Sequence, residues 1–329
     1  MAHRRTIPHG IPERIQSMRF HYEPPAVYFM HLPKTGGTAI GHWLQTVYRV
    51  RDYIDVDIPA VIHVPSDRLT SFRCYHSWHH GRQMLEFIGR RDVDVFTMLR
   101  HPIERSVSAY DQHKRHLARH PELFSLEYTA SMAELLDNDI EDCRDLDRIV
   151  ITQTSYLGNR RDYRRFFEEC NAKRADGQDL VLRAPYAIHD VAGTRSPDRL
   201  LERAIAWLHE MPVVGLTERF DESMLLIADL LGVPAPAVPP QANVNPNRRD
   251  ARQSYRDALK PSTLARLEQL NQQDFELYAV AQDLFEQQWA RFQKRRSRAI
   301  SVAPRLRSTK RRIVHICSRL KADPAGRQQ

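Results

Sequence analysis

AVYFMHLPKTGGTAIGHWLQTVYRV, residues 26–50, joins an apolar run to a glycine-containing turn and then to a helical repeat. Ala26 to Leu32 is short and rich in β-formers, the composition of a strand buried in a parallel sheet, and Pro33 ends it. Beyond the turn, Ile40, Trp43, Leu44, Val47 and Tyr48 recur at helical spacing, so one face of a helix can pack back on that sheet. The stretch predicts strand, loop and helix, with the loop held between two rigid elements.

The loop, Pro33 to Thr38, has the chemistry of an anion cradle. Gly36 and Gly37 let the backbone bend closely and turn its N–H groups inward at a helix N-terminus. Lys34 adds a mobile positive charge, and Thr35 and Thr38 add hydroxyl donors. It is not a Walker A loop, whose Lys follows a longer glycine spacing and directly precedes the Ser or Thr. An ordinary turn with a solvated lysine is the other reading, and a second motif has to decide between them.

That motif is Val93 to His116, VDVFTMLRHPIERSVSAYDQHKRH: another apolar strand running into a helix, with Pro102 suited to the first helical turn. Arg100 stands at the strand's carboxyl end and Ser108 lies two turns into the helix. Ligands of open α/β sheets collect at those ends. Arg100 could grip a second phosphate through its planar fork while Ser108 donates a hydroxyl.

With both motifs in place, the chain resembles the sulfotransferases that use 3′-phosphoadenosine 5′-phosphosulfate (PAPS), most closely the carbohydrate branch that includes heparan sulfate 2-O-sulfotransferase. Val213 to Gly232 and Leu267 to Leu284 are similar to that family's later segments in wording and order. The resemblance implies an α/β, P-loop-like nucleotide-binding fold with a mainly parallel central sheet flanked by helices. It implies transfer of a sulfuryl group to a hydroxyl of a small-molecule or glycan acceptor, without a metal. Lys34, Thr35, Gly36, Gly37 and Thr38 then correspond to the 5′-phosphosulfate site, and Arg100 with Ser108 to the 3′-phosphate site. Asn243 to Arg249 looks like the loop that folds over the phosphates, with Arg248 and Arg249 as its contacts. Ile151 to Asn159 resembles an acceptor-side segment, making Gln153 and Tyr156 acceptor contacts.

Phe72 to Gly81, FRCYHSWHHG, is the densest histidine cluster. A hydroxyl is a poor nucleophile until its proton is being removed, and a group with a pKa near neutrality suits that work. In the family a histidine just after the corresponding strand resembles the general base, and His76 falls there. Tyr75 stands where the family has Gly, so His79 and His80 remain alternative registers. Asp111 to His120 continues the second helix with His113, Lys114, Arg115 and Arg119, which line an acidic acceptor site or form a solvated face.

The resemblance divides the chain into an N-terminal extension (1–25), one sulfotransferase-like domain (26–293) carrying a polar insertion without family counterpart (160–196), and a basic tail (294–329). From Lys294 onward there are twelve Lys or Arg against one acid, Asp323, a net +11 within a chain of formal charge +8, so residues 1–293 carry −3. The body is therefore not a general polyanion binder, and no nucleic-acid partner is expected. The tail reads as a solvated, partly disordered extension, with Ile313, Ile316, Cys317 and Leu320 spaced as one face of a short helix that could rest on an anionic membrane. The N-terminus lacks the apolar run of a signal peptide, and Cys74, Cys143, Cys170 and Cys317 are scattered without metal-type spacing; both fit a cytoplasmic protein with reduced thiols, peripheral at most to a membrane's inner face. Two other classes stay open: an ATP-dependent phosphotransferase, and a non-catalytic membrane or nucleic-acid binder using the tail.

Overall fold

The computed structural model describes residues 23–56, 64–78, 83–119, 140, 152–158, 197–238, 240 and 254–321 of the 329. In chain order these form β1 (Val27–His31), α1 (Gly37–Val47), β2 (Tyr53–Val56), α2 (Ser66–Ser71), β3 (Cys74–Trp78), α3 (Gln83–Ile88), β4 (Asp94–Leu99), α4 (Pro102–Arg119), α5 (Gln153–Gly158), α6 (Pro197–Glu210), β5 (Val213–Leu216), α7 (Phe220–Leu231), α8 (Pro261–Leu270) and α9 (Gln272–Lys321).

The strands make one sheet in the order β2-β3-β1-β4-β5, and every pairing is parallel. This is the α/β, P-loop-like arrangement expected from the sequence. β1 lies at its centre and all five of its residues are buried, which is why the strand is a continuous apolar run rather than an alternating one. From β1 the chain builds outward first to β3 and β2, then to β4 and β5 on the other side. The reversal leaves a crevice outside the carboxyl ends of β1 and β4, where open α/β sheets bind ligands.

Ile40, Trp43 and Leu44 of α1 are buried against the sheet, each contributing about 1.5–3 kcal/mol by removing its side chain from water. On the other side, Leu277, Ala281, Leu284 and Phe285 of α9 join the same core. α8 and α9 are separated at Asn271, whose Nδ2 donates to Leu267 O at 2.8 Å while its Oδ1 accepts from Ser106 Oγ of α4 at 3.2 Å.

α9 corrects the reading of the tail. The backbone continues as one helix through Lys321, 50 residues and so about 75 Å long. Its first half is anchored by buried Phe285 and Phe292, by the Arg219–Glu286 ion pair and by Arg295 on Asp229 at 2.5 Å. The rest propagates from that nucleus, since adding a residue to an existing helix costs far less than starting one. Charge alone had suggested disorder because it says nothing about an upstream template. Among the described residues no helix is long and apolar enough to cross a membrane.

Candidate active site

The loop after β1 has a forced backbone. Lys34 and Gly36 both adopt left-handed conformations, at φ 71° and 81°. That costs a non-glycine residue roughly 1–2 kcal/mol, so something must hold Lys34 there. Four consecutive carbonyls do so by accepting from side chains. Leu32 O takes Thr35 Oγ1 (2.8 Å), Pro33 O takes Arg105 Nε (3.1 Å), Lys34 O takes an Arg100 nitrogen (3.3 Å) and Thr35 O takes Thr217 Oγ1 (2.9 Å). With its oxygens engaged in this way, the loop presents N–H groups to the start of α1, where among the described residues no side-chain cap is bonded. An anion fits that donor set. Gly36 is needed for its left-handed turn, and a Cβ there would also approach the Phe220 ring to 3.1 Å.

Thr35 is therefore corrected as a hydroxyl donor to ligand: it is fully buried and its Oγ1 donates back into the loop. Thr38 lies half-buried in the first turn of α1. Burial brings the Lys34 ammonium down to about 8, with repulsion from Arg115 and then Arg100 adding to it and Asp111 opposing. Arg115 sits on α4 two turns beyond Ser108, so the cationic surface around Lys34 extends along that helix. Ser108 itself is buried.

Arg100 follows β4 immediately and is braced on every side. Gln153 closes a two-bond clamp on its peptide groups: Arg100 N donates to Gln153 Oε1 at 2.9 Å, and Gln153 Nε2 donates to Arg100 O at 2.8 Å. Asp274 of α9 in turn accepts from the backbone N–H groups of Gln153 (2.7 Å) and Thr154 (2.8 Å). Glu104 accepts from the Arg100 guanidinium at 3.5 Å, from Ser254 Oγ at 2.6 Å and from Tyr255 N at 2.7 Å. Glu218 accepts from His101 N and from the Tyr278 hydroxyl, while Thr217 bridges Thr35 O and Leu99 O.

This corrects two acceptor contacts. Gln153 is fully buried with its amide committed to Arg100, and Tyr156 is buried with its ring 5.5 Å from the Arg105 guanidinium. Both stand behind the loop, where they position it. The completely buried Arg105 was passed over in the sequence because a helical Arg amid charged neighbours looks like solvated surface. Its spacing from Arg100, five residues on, is the only local hint.

The histidine is corrected in place as well. His76 lies inside β3, not beyond its end, and is 2% exposed. Its Nδ1 meets Asp55 Oδ1 at 2.9 Å and the Tyr53 hydroxyl at 2.7 Å, and its Nε2 meets His31 Nδ1 at 3.1 Å. Both ring nitrogens are thus engaged below the surface. The partner that sequence reasoning missed is His31, the last residue of β1. A titratable side chain closing an otherwise apolar buried strand was the available signal. His31 and His76 stack at 5.2 Å under α1, and the helix has glycines where the rings pass: a Cβ at Gly37 would fall 2.0 Å from His31 Cδ2, and one at Gly41 2.4 Å from His76 Cε1.

His79, His80, Arg248 and Arg249 lie outside the described residues, as do the insertion 160–196 and the side chain of His113, a residue of α4. Among the described residues no group of three or more His, Cys, Asp or Glu could hold a metal ion.

No curated protein matches the chain. Residues 23–280, well over half of it, match the family described as "Sulfotransferase family". With a five-stranded parallel sheet, an anion-shaped loop after its central strand and an arginine against that loop from the next, the chain belongs to the sulfotransferase family.

Proposed function

We propose that this protein transfers a sulfuryl group from PAPS to a hydroxyl on a carbohydrate acceptor, within a domain spanning residues 26–293. One observation carries the reading: the Arg100 guanidinium reaches the Lys34 carbonyl at 3.3 Å, so the two cationic anchors share one crevice and can serve one doubly phosphorylated nucleotide. Arg100 on the opposite side of the sheet would have left no such ligand. When bound, PAPS supplies an activated sulfuryl group on a phosphate leaving group.

The residues then divide the work. The N–H groups at Gly36 and Gly37 and the Lys34 ammonium receive the 5′ end, and Lys34 stabilises charge on the bridging oxygen as it departs. Arg100 and Ser108 hold the 3′-phosphate, and Arg248 with Arg249 close over the nucleotide. The histidine pair containing His76 takes the acceptor proton. No step calls for a metal. His113 and Arg115 extend the cationic face toward an acidic acceptor. The protein acts in the cytoplasm, with the distal, basic part of α9 resting on an anionic membrane surface.

Calorimetry in EDTA with adenosine 3′,5′-bisphosphate and with ATP tests the donor: the bisphosphate binds and ATP does not. A phosphotransferase leaves the bisphosphate unbound and takes up ATP once Mg²⁺ is restored. Incubating the protein with PAPS labelled in its sulfuryl group and a cell extract, then weighing the labelled product, identifies the acceptor. Transfer by a chain lacking residues 294–329 separates the enzyme from a tail-driven binding protein.

A further inference from the structure

Asp55, His76, Phe29 and Phe96 occupy one row across four strands, paired in register as Asp55↔His76, Phe29↔His76 and Phe29↔Phe96. Their rings are stacked, Phe29 on His76 at 5.2 Å and on Phe96 at 4.8 Å, so the imidazole of His76 is fixed in plane. His31, one step up the same face of β1, stacks on Phe29 at 5.5 Å and on His76 at 5.2 Å, with its Nδ1 3.1 Å from His76 Nε2. The result is a file of polar groups running beneath α1: Asp55, half exposed at the sheet margin, then buried His76, then buried His31, whose Nε2 edge lies under Gly37 at the anion loop.

With both imidazoles neutral, the far carboxylate orders the protons. Tyr53 donates its hydroxyl proton to Asp55 at 2.9 Å, so it can only accept from His76. An ionised carboxylate only accepts, so His76 carries its proton on Nδ1 and offers a bare Nε2. Only a donor can face that lone pair, so His31 carries its proton on Nδ1 in turn. The basic nitrogen of the file is therefore His31 Nε2, at the end nearest the loop.

We infer that Asp55, His76 and His31 form a proton relay beneath the loop, with His31 Nε2 as its receiving end and His76 and Asp55 as positioning and conducting residues. The inference rests on the sulfuryl-transfer reading for its reaction. As the acceptor O–H bond breaks, its electron pair forms the new O–S bond, and the pair of the breaking S–O bond stays on the departing phosphate. The proton goes to His31 Nε2, the Nδ1 proton of His31 passes to His76 Nε2, and the Nδ1 proton of His76 passes to Asp55, from which water removes it. Tyr53 and Cys74, the other ionisable groups beside the row on β2 and β3, both titrate upward because of burial, so neither competes for the proton near neutral pH. α1 contributes Gly37 and Gly41 to the covering face.

The relay is tested without turnover by ¹⁵N spectra of the full chain labelled at histidine, with His31→Gln and His76→Gln assigning the signals. Expected are pyrrole-type Nδ1 and pyridine-type Nε2 in both rings at neutral pH, and a shift of His31 Nε2 larger than that of His76 when adenosine 3′,5′-bisphosphate is added. Asp55→Asn, whose amide can also donate, should release the His76 tautomer. With the acceptor in hand, the same variant should lower kcat about 10²–10³-fold and shift the acid limb of its pH profile, with KM for PAPS unchanged. A proton on Nε2 of either ring, or an Asp55→Asn enzyme with the parental pH profile, overturns the relay. If the bisphosphate fails to bind while both tautomers are as stated, the donor reading falls and the relay geometry stands.

Discussion

The two cationic anchors on either side of the crevice differ in how much of their shape is local. The loop after β1 has its turns written in six consecutive residues, a proline, a left-handed lysine, a left-handed glycine and a second glycine that opens a helix, and distant side chains only hold its carbonyls. Arg100 after β4 owes its placement to side chains far along the chain. Gln153 is 53 positions away, Glu218 reaches the adjoining His101 N–H across 117, and Asp274 steadies Gln153 across 121. The loop shares its support among four separate donors and a local glycine turn, so the loss of one leaves three, whereas Arg100 has no local turn to fall back on. Damage to the first should therefore appear in chemistry, and damage to the second in affinity.

Lys34→Ala is the sharpest way to break that contrast. The variant should lose about 10²–10³-fold in kcat, the effect of removing one preorganised charge from a developing anion. Binding of adenosine 3′,5′-bisphosphate should remain within about tenfold of the parent. Single-turnover rates beside calorimetry decide it. Abolished binding with unchanged turnover per bound nucleotide would make Lys34 a mere anchor.

Gln153→Leu attacks the braced side. It removes both partners of the Arg100 peptide groups, each costing about 1–3 kcal/mol when left buried and unpaired. Affinity for the 3′,5′-bisphosphate should fall about 10–100-fold while adenosine 5′-phosphate binds nearly as before, since the 5′ anchor keeps its glycine turn and its bonds from Thr35, Arg105 and Thr217. Equal losses for the two nucleotides would mean that Gln153 supports the whole crevice.

The same contrast explains what was legible in sequence. Parallel order and the loop could be read because strand composition, proline and glycine act over a few residues. The helical continuation of the tail, the amide clamp of Gln153 and the buried Arg105 could not, because each depends on a partner that only folding brings near. Gly37 shows the two levels in one residue. Its place in the loop suggested backbone freedom, yet among positive-φ glycines stand Gly36, Gly89 and Gly232, and Gly37 is there for the missing Cβ above His31. His76 was chosen by type and misplaced by register, since its pairing partners on β1 and β2, Phe29 and Asp55, fix whether a histidine ends a strand or lies within it.

Gly41→Ala sharpens the comparison from the histidine side. Its Cβ would enter the His76 ring, an overpacking that costs about 1–3 kcal/mol, visible as a lowered Tm. Gly89→Ala is the control, because the nearest neighbour to its Cβ is Thr70 Cγ2 at 3.8 Å and only the strain of φ +80° remains, roughly 1–2 kcal/mol. In the background His76→Ala the cost of Gly41→Ala should vanish. A double-mutant cycle with no coupling would detach the glycine from the ring.

The smallest effect is in pH, and its sign separates Lys34 from the arginines around it. Burial first, then Arg115 and Arg100, holds the Lys34 ammonium at about 8, below its ordinary 10.5. The folded chain thus binds fewer protons than the unfolded one between those values, so Lys34 makes stability rise as pH climbs from about 8 toward 10.5. Anion binding runs the other way, because it favours the charged form. Affinity for the bisphosphate should be level below about pH 8 and then fall, by at most about tenfold per pH unit for one proton. Lys34→Arg, charged throughout this range, should erase the break while Arg100 remains. Persistence of the break in that variant would assign the titration to another group, and affinity rising with pH would contradict a cationic 5′ anchor altogether.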